Sequence, residues 1–279
     1  MDRYITTYIT HLDSENISKN DTGLGNNLFQ VASIYGIAKT LNIKCTFPKL
    51  QQYGNKLLER YNHNQNNTIF KKIIEKFNNK DVLYEITLGE TSNKNKDYDI
   101  DLINSIKYTL DNTNKNIIIY GYLEDNRYFE DYKEEIIELF EPDEYNYNYI
   151  YDKYFKNMKK YNIISIHFRF SSHLGIDYYN IFNKKAYTYI KEKVSNPFFY
   201  IFSPDISKVD ISIFNDDEYL IIDEDNYICI WIMSLCNHNI IEGSSTLGWW
   251  GAYMNKNKEK IVLYDKMHTY EYLKEFTPI

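Results

Sequence analysis

Short apolar runs alternate along this chain with stretches whose apolar residues recur at helical spacing, and that alternation predicts the elements. Residues 3–10 alternate with Ile and Tyr and read as a strand. A polar stretch from His11 to Thr22 follows, and Gly23-Leu24-Gly25-Asn26-Asn27 reads as a loop. Leu28, Val31, Ala32, Tyr35, Ala38 and Leu41 then mark one face of a helix ending near Asn42, and Cys45-Thr46-Phe47 is a short strand before Pro48. From 49 to 115 the chain is polar and Asn/Lys-rich, with one helix at 69–77. Ile117 to Tyr122 is a buried strand and Tyr128 to Phe140 has helical spacing. Pro142 and the Tyr/Asn-rich run from Glu141 to Tyr151 predict a break, which divides the chain into domains 1–150 and 151–279.

In the second half, strands are expected at Ile163–Ile166, Phe198–Phe202, Tyr219–Ile222, Asn239–Ile241 and Ile261–Tyr264. Helices are expected around 183–194, at Asp225–Cys236, at Leu247–Asn255 and at His268–Phe276. Strands and helices in such regular alternation predict an α/β fold, with parallel sheets and helices on both faces. Sheets of this kind bind ligands at the carboxyl ends of their strands.

Composition changes this picture in three ways. The 279 residues are 43% hydrophobic with 15 Phe and 29 Tyr, enough for a large core. The formal net charge of −7 argues against non-specific nucleic-acid binding, which needs a basic surface. Lys and Arg total 32, yet the only arginines are Arg3, Arg60, Arg127 and Arg169. Where Lys serves, this chain uses Lys, so each retained Arg points to a need for the planar fork that grips phosphate or carboxylate. Cys45, Cys229 and Cys236 lie in apolar segments without a CxxC pair and read as reduced and buried. The start Met-Asp-Arg-Tyr-Ile lacks the pattern of a signal peptide, and no apolar run approaches the ~20 residues of a membrane span. The expectation is a cytoplasmic protein without a membrane span. Asn16, Asn20 and Asn66 begin glycosylation sequons that carry no weight in such an Asn-rich chain.

Three strand ends carry candidate chemistry. His167 and Arg169 stand two apart, so their side chains leave a strand in the same direction. Arg169 can hold a phosphate bidentately and His167 can donate or accept a hydrogen bond; the plain alternative is a core His and a surface ion pair. Phe202-Ser203-Pro204-Asp205 places a carboxylate past a strand, for a base or ribose or simply for a cap. Gly243-Ser244-Ser245-Thr246 leads into Leu247-Gly248-Trp249-Trp250, where a helix start can offer N–H groups to a diphosphate or be capped in the ordinary way. Gly23–Asn27 lets backbone pass close to a ligand, but it is not GxGxxG and a dinucleotide fits it poorly. Asp99-Ile100-Asp101, Asp216-Asp217 and Asp223-Glu224-Asp225 are acidic clusters of the sort expected by chance among 39 acidic residues, and no metal is expected.

Taken in order, these segments resemble the α-1,2-fucosyltransferase family, more distantly related to protein O-fucosyltransferases and α-1,6-fucosyltransferases. Gly23-Leu24-Gly25-Asn26-Asn27-Leu28-Phe29-Gln30 is similar to its Gly-Leu-Gly-Asn-Gln-Met-Phe-Gln. Gly121-Tyr122-Leu123 through Phe129 is similar to its Gly-Tyr-(aromatic)-Gln…Tyr-Phe segment, and His167-Phe168-Arg169 to its His-x-Arg. Phe199–Asp205 is similar to Phe-Tyr-Val-Phe-Ser-Asp-Asp, and Met233–Tyr253 follows its last motif.

The resemblance implies two facing Rossmann-like domains (GT-B-like), with the acceptor side in the first and GDP-sugar in the second. It implies metal-independent, inverting transfer of L-fucose from GDP-fucose to a glycan acceptor, forming an α-1,2 link. The alternatives are the same fold with a protein hydroxyl as acceptor or another GDP-deoxysugar as donor, or a relative that binds GDP-sugar or glycan with little or no turnover. Arg169 would bind the β-phosphate; His167 and Asp205 would contact the nucleotide. Ser244, Ser245 and Thr246 would hold the diphosphate, and Gly25 and Asn26 would lie near the fucose. The chain departs from the family at Phe170 and Ser172, where the family has Arg and Asp, at Pro204, at Glu124, and in the extra stretch 11–22. Glu124, Asp177 and His173 are the candidate general bases, Glu124 foremost.

Overall fold

The computed structural model describes residues 3–7, 23–48, 50, 69–77, 83–90, 98–170, 175–268 and 270–279. The chain forms two compact units. The first is Met1–Ser18, Thr22–Glu141 and Tyr270–Tyr272; the second is Lys19–Asp21, Pro142–Thr269 and Leu273–Ile279. The polar stretch 11–22, Arg60, Ser172, His173 and the three sequons lie outside the described residues.

The first unit is built on a parallel sheet of β1 (Tyr4–Thr7), β2 (Lys44–Cys45), β3 (Ile86–Gly89) and β4 (Ile117–Tyr120), in the order β2-β1-β4-β3. Among the described residues its helices include α1 (Leu24–Thr40), α2 (Lys71–Lys76), α3 (Ile100–Asn112) and α4 (Lys133–Phe140). Two expectations change here. Leu24 to Asn27 are not loop but the first turn of α1, closed by the Asn27 N–H on the Gly23 carbonyl at 2.9 Å. The polar region before residue 115 contains β3 and α3, the latter started by Asp99, whose carboxylate accepts the Leu102 N–H at 2.9 Å. Asp99-Ile100-Asp101 is thus an N-cap and a first turn, as the choice of Asp at such positions dictates.

The second unit opens with α5 (Glu144–Ile150), continued by a π-helical turn at Tyr151–Phe155. The run expected to be irregular is therefore helical. Asp143 caps it by accepting the Asn146 N–H at 3.0 Å, and Asn146 and Ile150 are buried. The sheet holds β5 (Asn162–His167), β6 (Pro197–Phe202), β7 (Tyr219–Ile222), β8 (His238–Ile241), β9 (Val262–Tyr264) and β10 (Thr277–Pro278). The helices are α6 (Ile176–Lys193), α7 (Asn226–Leu235) and α8 (Thr246–Tyr253). All pairings are parallel, in the order β10-β9-β8-β5-β6-β7. The chain winds outward from β5 in one direction, returns, and winds outward from β8 in the other, so the strand order reverses between β5 and β8.

Strand alternation sorts the side chains of β5. Ile164 and Ile166, with Phe168 beyond, join Phe199 and Ile201 of β6 in a buried cluster with Phe182, Ala186 and Ile190 of α6. Ser165 and His167 occupy the alternate positions. Ser165 accepts from the Asn239 amide at 2.7 Å, and that amide also reaches the Met233 carbonyl of α7 at 2.9 Å. The chain end differs from the helix expected at 268–276. Only Glu271–Leu273 forms a 3-10 turn, and Thr277 and Pro278 pair with Leu263 and Tyr264 as the edge strand, a place where Pro leaves no ladder donor missing. Among the described residues no helix is long and apolar enough to cross a membrane.

Helix α1 is fixed at Gly36, where an added Cβ would stand 2.2 Å from the Tyr128 carbonyl and 2.7 Å from Phe129 Cα. The helix propensity gained by Ala, about 1 kcal/mol, is smaller than the cost of moving that backbone. Gly36→Ala should therefore destabilise the chain by about 2 kcal/mol, measured as a lower urea midpoint; an unchanged midpoint would refute the contact.

Candidate functional site

The register of the second sheet brings the expected residues to one edge. His167, the last residue of β5, pairs with Phe202 on β6 and Ile241 on β8. The three segments that follow, Phe168-Arg169, Ser203–Asp205 and Glu242–Thr246, therefore leave the sheet side by side. The first and third flank the point where the strand order reverses, which is where open α/β sheets leave a crevice.

His167 is buried, and its Nδ1 lies 3.2 Å from the Ser245 hydroxyl. Burial, helped by the nearby Arg169 charge, pushes its pKa down to about 3, so the ring is neutral. Ser245 caps α8, its Oγ accepting the Gly248 N–H at 3.2 Å. The fit at Gly248 is close, since an added Cβ would stand 3.0 Å from His167 Nδ1.

Arg169 is partly buried, and its backbone N–H donates to Glu242 at 3.0 Å. No hydrogen bond or ion pair to another described residue engages its guanidinium. The other described arginines are occupied. Arg127 grips Asp125 through Nε at 2.9 Å and Nη2 at 2.6 Å, and Arg3 donates to the Leu110 and Thr113 carbonyls at the end of α3.

Asp205 serves as a cap. It accepts from the Ser207 hydroxyl at 2.6 Å and pairs with Lys208 at 2.9 Å, and these bonds hold its carboxyl below the usual range. The hydroxyl of Ser244 donates to Glu242 at 2.8 Å. Asp177 lies exposed in the first turn of α6, away from the length 183–194 expected for that helix. Two carboxylates not singled out in the sequence back the loop. Glu242 follows β8 directly. Asp265 follows β9 and accepts from the Gly243 N–H at 2.7 Å, His268 at 2.7 Å and Tyr178 at 3.3 Å. Burial alone would raise the Asp265 pKa; those bonds outweigh it and lower it. Both acids were findable by one rule, that the first residues after a parallel strand face the binding edge.

The first unit has its own carboxyl edge. After β4, Gly121 and Leu123 take positive φ angles of 157° and 53°. Two buried side chains of α1 hold this bend, Gln30 donating to the Gly121 carbonyl at 2.7 Å and Ser33 to that of Leu123 at 3.0 Å. Gly25 is buried and Asn26 half-buried in the first turn of the same helix. Glu124 is only 3% exposed. Glu90, directly after β3, is more open and accepts the Leu123 N–H at 3.2 Å. Burial, reinforced by Asp99 and Glu124, raises its pKa. It escaped the sequence reading because β3 did.

Residues 175–277 match the model of Glycosyl transferase family 11. Two relatives from Escherichia coli are similar. The O-antigen biosynthesis glycosyltransferase WbnK is 27% identical over 164 residues, 52% of this chain and 53% of that one. An alpha-1,2-colitosyltransferase is 25% identical over 255 residues, 83% of this chain and 84% of that one. The chain thus spans about half the length of WbnK and most of the colitosyltransferase. Among solved structures, Bradyrhizobium fucosyltransferase NodZ is similar at 11% identity and TM-score 0.53, covering 90% of this chain and 92% of that one. Arabidopsis thaliana FUT1 in complex with GDP is similar at 12% identity and TM-score 0.51, covering 95% of this chain and 70% of that one. At such identities the likeness is one of fold, an α/β, GT-B-like fold with parallel sheets.

The buried neutral His167 gives a stability prediction. Its value in the folded protein, about 3, lies below the ordinary 6.5, so as pH falls the unfolded chain takes up the proton first. The contribution is complete above pH ~6.5 and is lost toward pH ~3 at up to about 1.4 kcal/mol per unit. Urea midpoints should fall over that window, and His167→Gln should flatten the fall; equal slopes in both proteins would refute it.

Proposed function

We propose, on the premise that residues 175–277 carry a glycosyl transferase family 11 domain, that the chain transfers L-fucose from GDP-fucose to a glycan hydroxyl. The link formed is α-1,2, with inversion, and no metal takes part. The observation that carries the reading is the Arg169 guanidinium, which no described residue engages, at the order reversal of a parallel sheet and beside the start of α8. A half-buried fork in that place suits a diphosphate.

In this reading Arg169 offsets the charge that develops on GDP as the bond from fucose C1 to the phosphate oxygen breaks. The start of α8 adds the positive end of its helix dipole. His167, held neutral, orients Ser245 and is no proton source. Asp205 would meet the nucleotide, and Gly25 and Asn26 the sugar. The acceptor oxygen bonds to C1 as GDP leaves, and its proton passes to a base. Glu90 suits that task better than Glu124, because it is more open, and burial raises its pKa. The companion expectation is a cytoplasmic enzyme.

A second donor has specific support. The similarity to the colitosyltransferase runs over 255 residues, against 164 for WbnK. Colitose is fucose without one hydroxyl, so the same diphosphate grip serves both.

GDP release with a glycan acceptor, measured for GDP-fucose, GDP-colitose and GDP-mannose with and without EDTA, tests the proposal. Turnover of either deoxysugar donor that survives EDTA is expected, and no release from either would sink it. Arg169→Lys should lower kcat by about 10²–10³; unchanged kinetics would remove the phosphate role. Activity should fall with decreasing pH above the ordinary glutamate range of ~4.3, and Glu90→Gln should abolish transfer while leaving GDP affinity intact. An acid limb that persists in an active Glu90→Gln protein would exclude Glu90.

A further inference from the structure

Glu242 presents a puzzle in a site built for an anion. It is a carboxylate, 2% exposed, and it stands directly before Gly243 in the loop that should receive the diphosphate. One oxygen accepts the Arg169 backbone N–H at 3.0 Å and the other the Ser244 hydroxyl at 2.8 Å. Its own carbonyl accepts the Ser245 N–H at 2.9 Å. Both side-chain oxygens act as acceptors, as a carboxylate's do.

These bonds have two consequences. The segment after β5 and the loop after β8 are tied together across the order reversal, so the backbone of Arg169 has a fixed register against the start of α8. And the Ser244 proton is committed to Glu242, which withholds that hydroxyl from a ligand. The neighbouring charges are Arg169 on one side and Asp265, through Gly243, on the other; His167 is neutral.

We propose that Glu242 is a positioning residue of the donor site, which holds Arg169 and Ser244 in place and, by its charge, limits how tightly the diphosphate is bound. The proposal rests on the donor reading above. It separates the two tasks of one side chain, geometry and charge, and so predicts opposite effects from two substitutions. Glutamine keeps an oxygen for the Arg169 N–H, while its NH₂ turns the Ser244 hydroxyl from donor to acceptor and frees its proton. Alanine removes both bonds.

Calorimetric titration of the full chain with GDP provides the test. Wild-type protein should bind, and Arg169→Lys should weaken binding. Glu242→Gln should tighten it on the order of tenfold, as expected when a like charge is removed from a half-buried site, and the donor KM and kcat should fall together as GDP leaves more slowly. Glu242→Ala should bind GDP more weakly than wild type. Should the Ala protein fail to fold, the Gln protein decides alone. Equal or weaker GDP binding by a folded Glu242→Gln protein, with the Arg169→Lys effect intact, overturns this inference and leaves the donor reading standing. Absence of GDP binding by the wild type overturns both.

Discussion

The pairing of β5 between two parallel neighbours is the constraint on which the second unit depends. His167 is level with Phe202 on one side and Ile241 on the other. Parallel strands deliver their following loops to the same edge, so segments remote in sequence emerge together. A one-residue slip of β5 would turn His167 and Ser165 toward α6 and drive Ile164 and Ile166 out of their cluster. The core cluster thus fixes the register, and the register fixes the site. The order reversal beside β5 is the place where open α/β sheets bind their ligands.

Charge at that edge is layered. Nearest the crevice stand Arg169 and the start of α8, a positive set made from one guanidinium and backbone amides. Behind them lie Glu242 and Asp265, each buried and each taking N–H or O–H groups of the loop. Buried acids beside an anion site carry an electrostatic cost, but they also supply acceptors to N–H groups that would otherwise be orphaned in the turn. The loop is held rigid before a ligand arrives, which is what preorganised stabilisation of developing charge requires.

Much of this was legible in the sequence. Strands β5 to β9 and helices α7 and α8 read clearly because their apolar runs are long and the signals between them sharp. His167, Arg169 and Ser244–Thr246 could be placed at strand ends from those runs alone. What escaped has particular causes. β3 and α3 are short or mixed in composition, and the Asp99 cap stood among acidic clusters that chance alone could supply. The helix α5 is written in Asn and Tyr, poor helix formers, and depends on its Asp143 cap and on burial of Ile150. The C-terminal run has helical spacing, but Pro278 pairs on the sheet edge instead. Glu242, Asp265 and Glu90 carry no motif; only the strand just before each identifies them.

Phe170 joins these threads. Where the related family carries a second arginine, this chain has a phenylalanine with φ of 52°, in the left-handed region that a bulky side chain enters at a cost of ~1 kcal/mol or more. Its ring packs on Phe168 at 5.7 Å and Tyr179 at 6.3 Å, and it lies against the core cluster. The aromatic contacts hold the Phe170 side chain against that cluster. Position 170 thus belongs to the core and not to the ligand edge. Among the described residues Arg169 is the one guanidinium of the site, and two buried acids, Glu242 and Asp265, hold the loop after β8. The balance between cation and anion there is closer than in a two-arginine site, so the affinity for a diphosphate should be unusually sensitive to the charge at position 242.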